Sequence, residues 1–357
     1  MNRSSISSSE RIARPAVFTA GFCAIAAVLA VTEVALRIPA VQNAMPIRTH
    51  LHEPGVVVRL QTLERLKRQS GRIDALFVGS SIVRCNIRPT LFDEVVRRQT
   101  GAAVVSFNAG MSGLWPPAVR LYAERLWIPE ARPRVVMQGI RYGELVASPR
   151  ARKYDEIVTS PVESAWEDTG PAAWLRATAY NQLHLLQYRG IWPAWLKRFE
   201  RGRAAAPEDD ELRIFTDPRG WTPRLPTLPV NRARNLLREE TPNPVLDPSR
   251  SANAFEAIRQ TIHAAQRSGA TYVLINVPEH AFRWSSADGA ARYATYLRAL
   301  RRLADEQGVR FVDVTDGDPY RFSQDAEFAD YHHMSPEGAT HFTTLLAARL
   351  AQEPFHN

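Results

Sequence analysis

The chain is poor in sulfur: its 357 residues include two cysteines, Cys23 and Cys85. Cys23 lies in an N-terminal apolar run and Cys85 far along in a different context, so they are not expected to meet. No disulfide framework is implied, and the redox compartment cannot be read from them. A small buried side chain is the expected role for Cys85, with a reactive thiol as the alternative. Clustered positive charge is also missing. The 45 Lys and Arg against 37 Asp and Glu leave a net charge of +8, yet there is no basic run, no zinc-finger spacing and no RNA-binding motif. A scattered excess of this kind argues against nucleic acid as a partner and for anionic surfaces such as acidic lipid or polysaccharide. There is no internal repeat, and no low-complexity tract beyond the Ser-rich first nine residues. Apolar residues are plentiful at 45%, with 9% aromatic, which suits a packed core and excludes a disordered chain.

Arg3, Arg11 and Arg14 precede an uncharged stretch from Pro15 to Thr32 that Glu33 ends. With Val34-Ala35-Leu36 as a margin, the stretch is long enough to cross a bilayer. The basic flank puts the N-terminus in the cytoplasm and the rest outside it. A cleaved signal peptide is the alternative. The length of the run and the lack of a small-x-small cleavage site favour a retained anchor, and Phe22 before Cys23 argues against lipoprotein attachment. The expected organisation is a cytoplasmic tail over 1–14, a transmembrane anchor over 15–38, a juxtamembrane linker and helix over 39–69, and one α/β domain over 70–357.

From residue 70 onward, short apolar runs alternate with amphipathic segments. The pattern predicts strands over 75–79, 103–108, 134–139, 271–277 and 310–314. Helices are predicted near 91–98, 118–127, 254–267, 290–306 and 335–351. That alternation means parallel strands joined by crossover helices. In the last helix Phe342, Leu345, Leu346 and Leu350 share one face, with Pro336 in the first turn. Between about 146 and 250 the periodicity fades, and Trp166, Trp174, Trp192, Trp195 and Trp221 appear among many arginines. This interval reads as an insertion or cap. Its tryptophans serve either as packing or as a carbohydrate, membrane-interface or partner surface.

Two stretches carry chemistry. Asp330-Tyr331-His332-His333-Met334-Ser335-Pro336-Glu337-Gly338 places an acid three residues before a His at the start of a helix. About 250 residues upstream, the strand Ala75-Leu76-Phe77-Val78 runs out into Gly79-Ser80-Ser81. A serine hydroxyl is a poor nucleophile until a base takes its proton, and an imidazole needs an acid to fix its ring. Ser81, His333 and Asp330 therefore read as nucleophile, base and orienting acid. A helix N-cap is the plain alternative for Ser81, and a metal site is the alternative for Asp330, His332 and His333. His280, in Asn276-Val277-Pro278-Glu279-His280, and Trp221 are candidate substrate-binding residues, with a satisfied loop histidine and a packed indole as their alternatives.

These blocks resemble those of the SGNH (GDSL-like) hydrolases and acyltransferases over roughly residues 70–145 and 250–352. Gly79-Ser80-Ser81 resembles the first block, with Ser in place of the usual Asp before the nucleophile, similar to the membrane-anchored D-alanyl transfer proteins of teichoic-acid modification. Phe107-Asn108-Ala109-Gly110-Met111-Ser112-Gly113 resembles the second, whose final glycine gives an oxyanion-hole N–H, here Gly113. The Asp330-x-x-His333 block matches the last, and the family's His precedes an apolar residue and then Ser/Thr-Pro-x-Gly, which selects His333 over His332. One block departs: where the family has Gly-x-Asn, this chain has Gly139-Ile140-Arg141. Either Arg141 supplies an N–H to the oxyanion, or the hole rests on Ser81 and Gly113, at a cost of about 10²–10³ in rate.

The resemblance implies a flavodoxin-like three-layer sandwich around a central parallel sheet, interrupted by the cap and preceded by the transmembrane helix. It also implies a Ser-His-Asp O-acyltransferase on the outer face of the cytoplasmic membrane, acting on a cell-envelope polysaccharide. A multispanning membrane-bound O-acyltransferase is the candidate partner that supplies the acyl group. An esterase on the same residues is the second expectation, and a scaffold that kept the fold without the activity is the third. No cofactor and no metal are expected.

Overall fold

The computed structural model describes residues 8–38, 54–146, 170–188, 217, 219–224, 246 and 248–351. The chain divides into two compact units, one drawn from residues 1–57 and 160–207, the other from 58–159 and 208–357.

In the first unit the helix Ser8–Leu36 carries the apolar run. Its Thr19–Leu36 part has a mean hydropathy of 2.0 and is scarcely packed against protein. Phe22, Ile25, Val28 and Val31 all stand exposed. It is long and apolar enough to span a membrane or to act as a signal sequence. Glu33, which ends the uncharged run, is not a stray charge. Its carboxylate accepts the backbone N–H groups of His184 (3.0 Å) and Leu185 (2.9 Å) at the start of the helix His184–Tyr188, and Arg37 Nε donates to it at 3.1 Å.

The second unit is built on five parallel strands: β1 (Ala75–Val78), β2 (Ser106–Asn108), β3 (Val135–Ile140), β4 (Thr271–Asn276) and β5 (Arg310–Asp313). Their order is β2-β1-β3-β4-β5, the flavodoxin-like arrangement. Ala75 pairs with both Ser106 and Val135, and Val135 with Thr271, so the strands start nearly level. Because neighbouring residues on a strand face opposite ways, Phe77, Val135, Met137, Val273 and Ile275 point to one side. There they meet Phe92, Val96, Phe342, Leu346 and Leu350. This layer holds the helices Ser81–Asn86, Pro89–Thr100 and Pro336–Leu350. The helices Pro116–Tyr122, Pro248–Arg267 and Gly289–Glu306 form the other layer. A sheet covered on both faces explains why its strands read as unbroken apolar runs. Phe342, fully buried, contributes about 1.5–3 kcal/mol through its apolar area.

Every predicted strand is present, with shifted ends. β2 is shorter than its predicted 103–108 because Asp74 takes over the pairing before Ser106. The Asp74 carboxylate accepts Val105 N–H at 2.9 Å, and Asp74 N–H donates to Val105 O at 2.7 Å. The helix predicted over 118–127 begins at Pro116 and passes through a π turn, Ala123–Trp127, into Ile128–Ala131. Pro129 lacks the N–H that a regular α turn would need, and the widened turn accommodates it. Of the five tryptophans in the interval 146–250, Trp166, Trp192 and Trp195 lie outside the described residues, Trp174 is exposed and Trp221 is buried.

Candidate active site

In this strand order, neighbouring connections leave β1 and β3 in opposite directions, opening a crevice at their carboxyl ends. Gly79 leaves β1 there with φ +154°, and a Cβ on it would lie 2.3 Å from Val83 Cγ2, so only glycine lets the next helix close down on the sheet. That helix, Ser81–Asn86, was not predicted. Ser80 is its N-cap, with Oγ accepting Ile82 N–H at 3.3 Å. The capping role considered for Ser81 thus falls to its neighbour, and Ser81 keeps a hydroxyl to spare. The far end of the helix is held by Asn108, whose amide donates to Val83 O and Ile87 O, both at 2.8 Å, and accepts Gly110 N–H at 2.9 Å.

The histidine arrives on a tight loop. Ala329 N–H donates to His333 O at 2.8 Å and Phe328 bridges to Met334. Ser335 caps the helix Pro336–Leu350 by accepting Gly338 N–H at 3.2 Å. Gly338 is required because a Cβ there would come within 2.0 Å of Glu327 O. Within the loop, Asp330 Oδ1 accepts the N–H groups of His332 (2.9 Å) and His333 (2.7 Å), leaving Oδ2 to meet His333 Nδ1 at 2.6 Å. His333 Nε2 then lies 2.7 Å from Ser81 Oγ. Ser81, His333 and Asp330 form one hydrogen-bonded relay across 252 residues of sequence separation. Asn86, which sequence reasoning did not single out, brackets the same loop. Its Nδ2 donates to His332 O at 3.2 Å and its Oδ1 accepts Met334 N–H at 2.9 Å.

Burial lowers the His333 pKa against the opposing pull of Asp330, so the ring is neutral near pH 7. With Nδ1–H directed at Asp330, Nε2 keeps its lone pair for the serine proton. Burial would raise the Asp330 carboxyl, but His332, His333 and the N–H bonds outweigh it and hold the group far below the usual carboxylate range. His332 is driven well below its ordinary value by burial and by the charges of its neighbours, and Nδ1 makes no hydrogen bond among the described residues. Asp330, His332 and His333 offer three ligand-type atoms within 4.8 Å of one another, yet in this arrangement both ring nitrogens of His333 are taken by Asp330 and Ser81.

Neither Ser81 N–H nor Gly113 N–H has a hydrogen-bond acceptor among the described residues. Arg141 differs from expectation. Its own N–H faces the Glu144 carboxylate at 3.4 Å, and its guanidinium pairs with Glu279 at 2.8 Å. The N–H considered as a replacement for the missing asparagine is therefore turned into a capping box. Burial opposes the Arg141 charge, but Glu279 and Glu144 more than restore it, raising the pKa. Burial pushes Glu144 up to about 7 despite Arg141 and the Ser80 hydroxyl, which donates to its Oε1. Arg283 Nε completes the cluster 2.9 Å from Glu279.

His280 and Trp221 hold structural positions rather than lining an open subsite. His280 is 4% exposed, accepts Phe282 N–H on Nδ1 at 3.2 Å and meets Asp325 with Nε2 at 2.9 Å. Trp221 is 6% exposed and donates its indole N–H to Cys85 O at 2.7 Å, behind the Ser81–Asn86 helix. Cys85 is buried and its thiol pKa is raised by that burial, which removes the reactive-thiol alternative.

One family model matches residues 230–354, about a third of the chain, taking in Asp330 and His333 but not Ser81. No curated protein matches the sequence. Among solved structures, the chain is similar to a lipase/acylhydrolase from Enterococcus faecalis at 13% identity, covering 80% of this chain and 100% of that one, with a TM-score of 0.35. It is similar to an acetylxylan esterase from Geobacillus stearothermophilus at 11% identity, covering 79% and 94%, with a TM-score of 0.39. A GDSL-like lipase from Bacteroides thetaiotaomicron is similar at 11% identity, covering 82% and 98%, with a TM-score of 0.34.

Proposed function

We propose that the protein is a serine-dependent acyl-transferring enzyme, tethered to the cytoplasmic membrane with its α/β domain outside, that passes an acyl group to a cell-envelope polysaccharide. The observation that carries this reading is the relay from Asp330 through His333 to Ser81, which ends on an available hydroxyl. On this reading Ser81 Oγ attacks the carbonyl carbon of an acyl ester as its proton passes to His333 Nε2. The carbonyl oxygen takes the negative charge and is met by Ser81 N–H and Gly113 N–H. Collapse breaks the ester bond, the leaving alkoxide takes the proton from His333, and an acyl-Ser81 ester remains. A glycan hydroxyl then gives its proton to His333 and attacks that ester, forming the product and freeing Ser81. Asp330 keeps the ring oriented and stabilises its charged form throughout. With water as acceptor the same steps make an esterase. The apolar N-terminal helix and the net charge of +8 support a membrane-bound role near an anionic polymer. A multispanning O-acyltransferase is the proposed source of the acyl group.

The test uses the full chain in detergent micelles. A fluorophosphonate probe should label Ser81, His333→Ala should abolish labelling, and Asp330→Asn should reduce it less severely, since the ring keeps its proton-accepting nitrogen. Folded wild-type protein that takes no label, together with normal envelope function of Ser81→Ala in cells, would overturn the catalytic reading and favour the scaffold. With labelling established, the split of the acyl enzyme between an added oligosaccharide and water separates transferase from esterase.

A further inference from the structure

Exposed large apolar side chains concentrate in the first unit. Among the described residues, all except Tyr320 lie on the helix Ser8–Leu36, at Ile38 just beyond it, or at Trp174, Leu175 and Leu183. The last three are 63%, 59% and 40% exposed. Single exposed leucines on a surface need no explanation, but a group of them joined to a helix of membrane length does. The joint is made by polar groups at the end of that helix. Glu33 accepts the N–H groups of His184 and Leu185, and Arg37 Nη2 donates to Gln182 O at 3.1 Å. These bonds clamp the junction between the helices Pro171–Gln182 and His184–Tyr188. The level of the junction follows from helix geometry. Pro15–Thr32 extends about 27 Å as a helix, against about 30 Å of bilayer hydrocarbon, so Glu33, Arg37 and the clamped junction fall at headgroup level. A backbone N–H without a partner is costly so close to hydrocarbon, and the Glu33 carboxylate serves two. From this level Pro171–Gln182 runs about 18 Å. Ala172, Leu175 and Ala179 follow on one of its faces, with Trp174 beside Leu175. Residues 171–183 contain one charged side chain, Arg176, and no acid that would repel anionic headgroups.

We infer that Pro171–Leu183 is a membrane-interface element: it lies in the plane of the outer headgroup layer with Trp174, Leu175 and Leu183 immersed in lipid, and gives the chain a second hold on the bilayer beside the spanning helix. The inference rests on the proposed membrane tether and names lipid as the partner of this face. A tryptophan suits that layer because its ring is apolar and its N–H can meet a headgroup. The two leucines add apolar area, as in other helices that lie on a membrane rather than cross it.

The experiment places the full chain, grown with fluorotryptophan, in nanodiscs of phosphatidylcholine and phosphatidylglycerol at one chain per disc. Trp174→Phe, a conservative change at an exposed position, assigns the Trp174 fluorine resonance by its disappearance. A phosphatidylcholine with a nitroxide near the top of its acyl chain should broaden that resonance to loss, and one with the nitroxide at the chain end should broaden it less. Changing the solvent to heavy water should shift it far less than it shifts free fluorotryptophan. A full solvent shift puts the ring in water and overturns the inference. A resonance with neither solvent shift nor lipid broadening is covered by protein and overturns it too, as does stronger broadening from the chain end, which means deep insertion. Cys23, exposed on the apolar helix, keeps this inference apart from the tether, because Cys85 is buried and does not compete for a water-soluble maleimide. Cys23 protected in the discs with Trp174 in water removes the interface element alone. Cys23 readily modified with Trp174 in lipid removes the spanning anchor and keeps the interface element.

Discussion

Two buried polar clusters meet where β1 and β3 end, and they are completed in different ways. In the relay, Asp330 spends both oxygens inside the loop and on His333, and the chain of hydrogen bonds runs outward to Ser81, whose N–H has no acceptor among the described residues. In the other, Arg141 lies between Glu279 at 2.8 Å and Glu144 at 4.0 Å, Arg283 holds Glu279 from another side, and Gly143 N–H adds a bond at 3.3 Å. The first keeps capacity for a ligand, and the second turns its charges on each other. A cluster that closes on itself fixes backbone, here the loop after β3, whereas a cluster with a free end is equipped to act on something not yet present. The difference also accounts for Arg141, whose N–H and guanidinium both belong to the closed cluster.

The sharpest way to break this contrast is to remove Arg141. Arg141→Ala leaves Glu279 with one cation instead of two in a site where Glu279 is 3% exposed, and should cost about 3–5 kcal/mol. Urea unfolding of the full chain in micelles measures this through Trp127 and Trp284, both fully buried. The rate of Ser81 labelling in the folded fraction should change far less than stability does. A variant with normal stability and labelling slowed about 10²-fold would instead place Arg141 among the oxyanion donors.

Glu144 gives a second, smaller effect with a definite pH signature. Its pKa of about 7 in the folded chain lies above the ordinary 4.5, so the folded state binds the proton more tightly than the unfolded state. That contribution is complete below pH 4.5 and is lost as pH rises to about 7, amounting to about 3 kcal/mol. Glu144→Gln, which mimics the protonated acid toward Ser80 and Arg141 N–H, should remove this part of the stability difference between pH 5 and pH 8. An unchanged difference in the variant would mean that Glu144 is ionised in the folded chain and that the cluster balances its charges in another way.

Much of this arrangement could be read from local sequence. β3 and β4 follow from apolar runs, and the histidine loop from an acid, two histidines and a Ser-Pro-x-Gly helix start. These signals depend on neighbours in sequence, and they place Asp330 and His333 together without knowledge of the rest. Signals that depend on distant partners were not legible. Arg141 looked available because Glu279 lies 138 residues away. Trp221 and His280 read as substrate-binding candidates, whereas their ring nitrogens bond Cys85 O and Asp325. Ser80 reads as a cap only once the short helix after β1 exists, and that helix of six residues is too brief to show periodicity.

Asn86 is the smallest test of the contrast, because it belongs to neither cluster yet connects the Ser81–Asn86 helix to the His333 loop. Its fully buried side chain spends its amide on His332 O and its carbonyl on Met334 N–H, so it holds the backbone on both sides of His333. Asn86→Ala would leave that N–H and carbonyl enclosed without partners, at about 1–3 kcal/mol of stability. If the bracket also sets the His333 position, labelling of Ser81 measured well below the unfolding transition should slow by about tenfold, since small displacements of a base are costly. Asn86→Asp keeps the acceptor for Met334 N–H but sets an oxygen against His332 O, so it should recover little of the labelling rate. Full-rate labelling in both variants, with only stability lowered, would make Asn86 a packing residue and leave Asp330 as the sole determinant of where the imidazole stands.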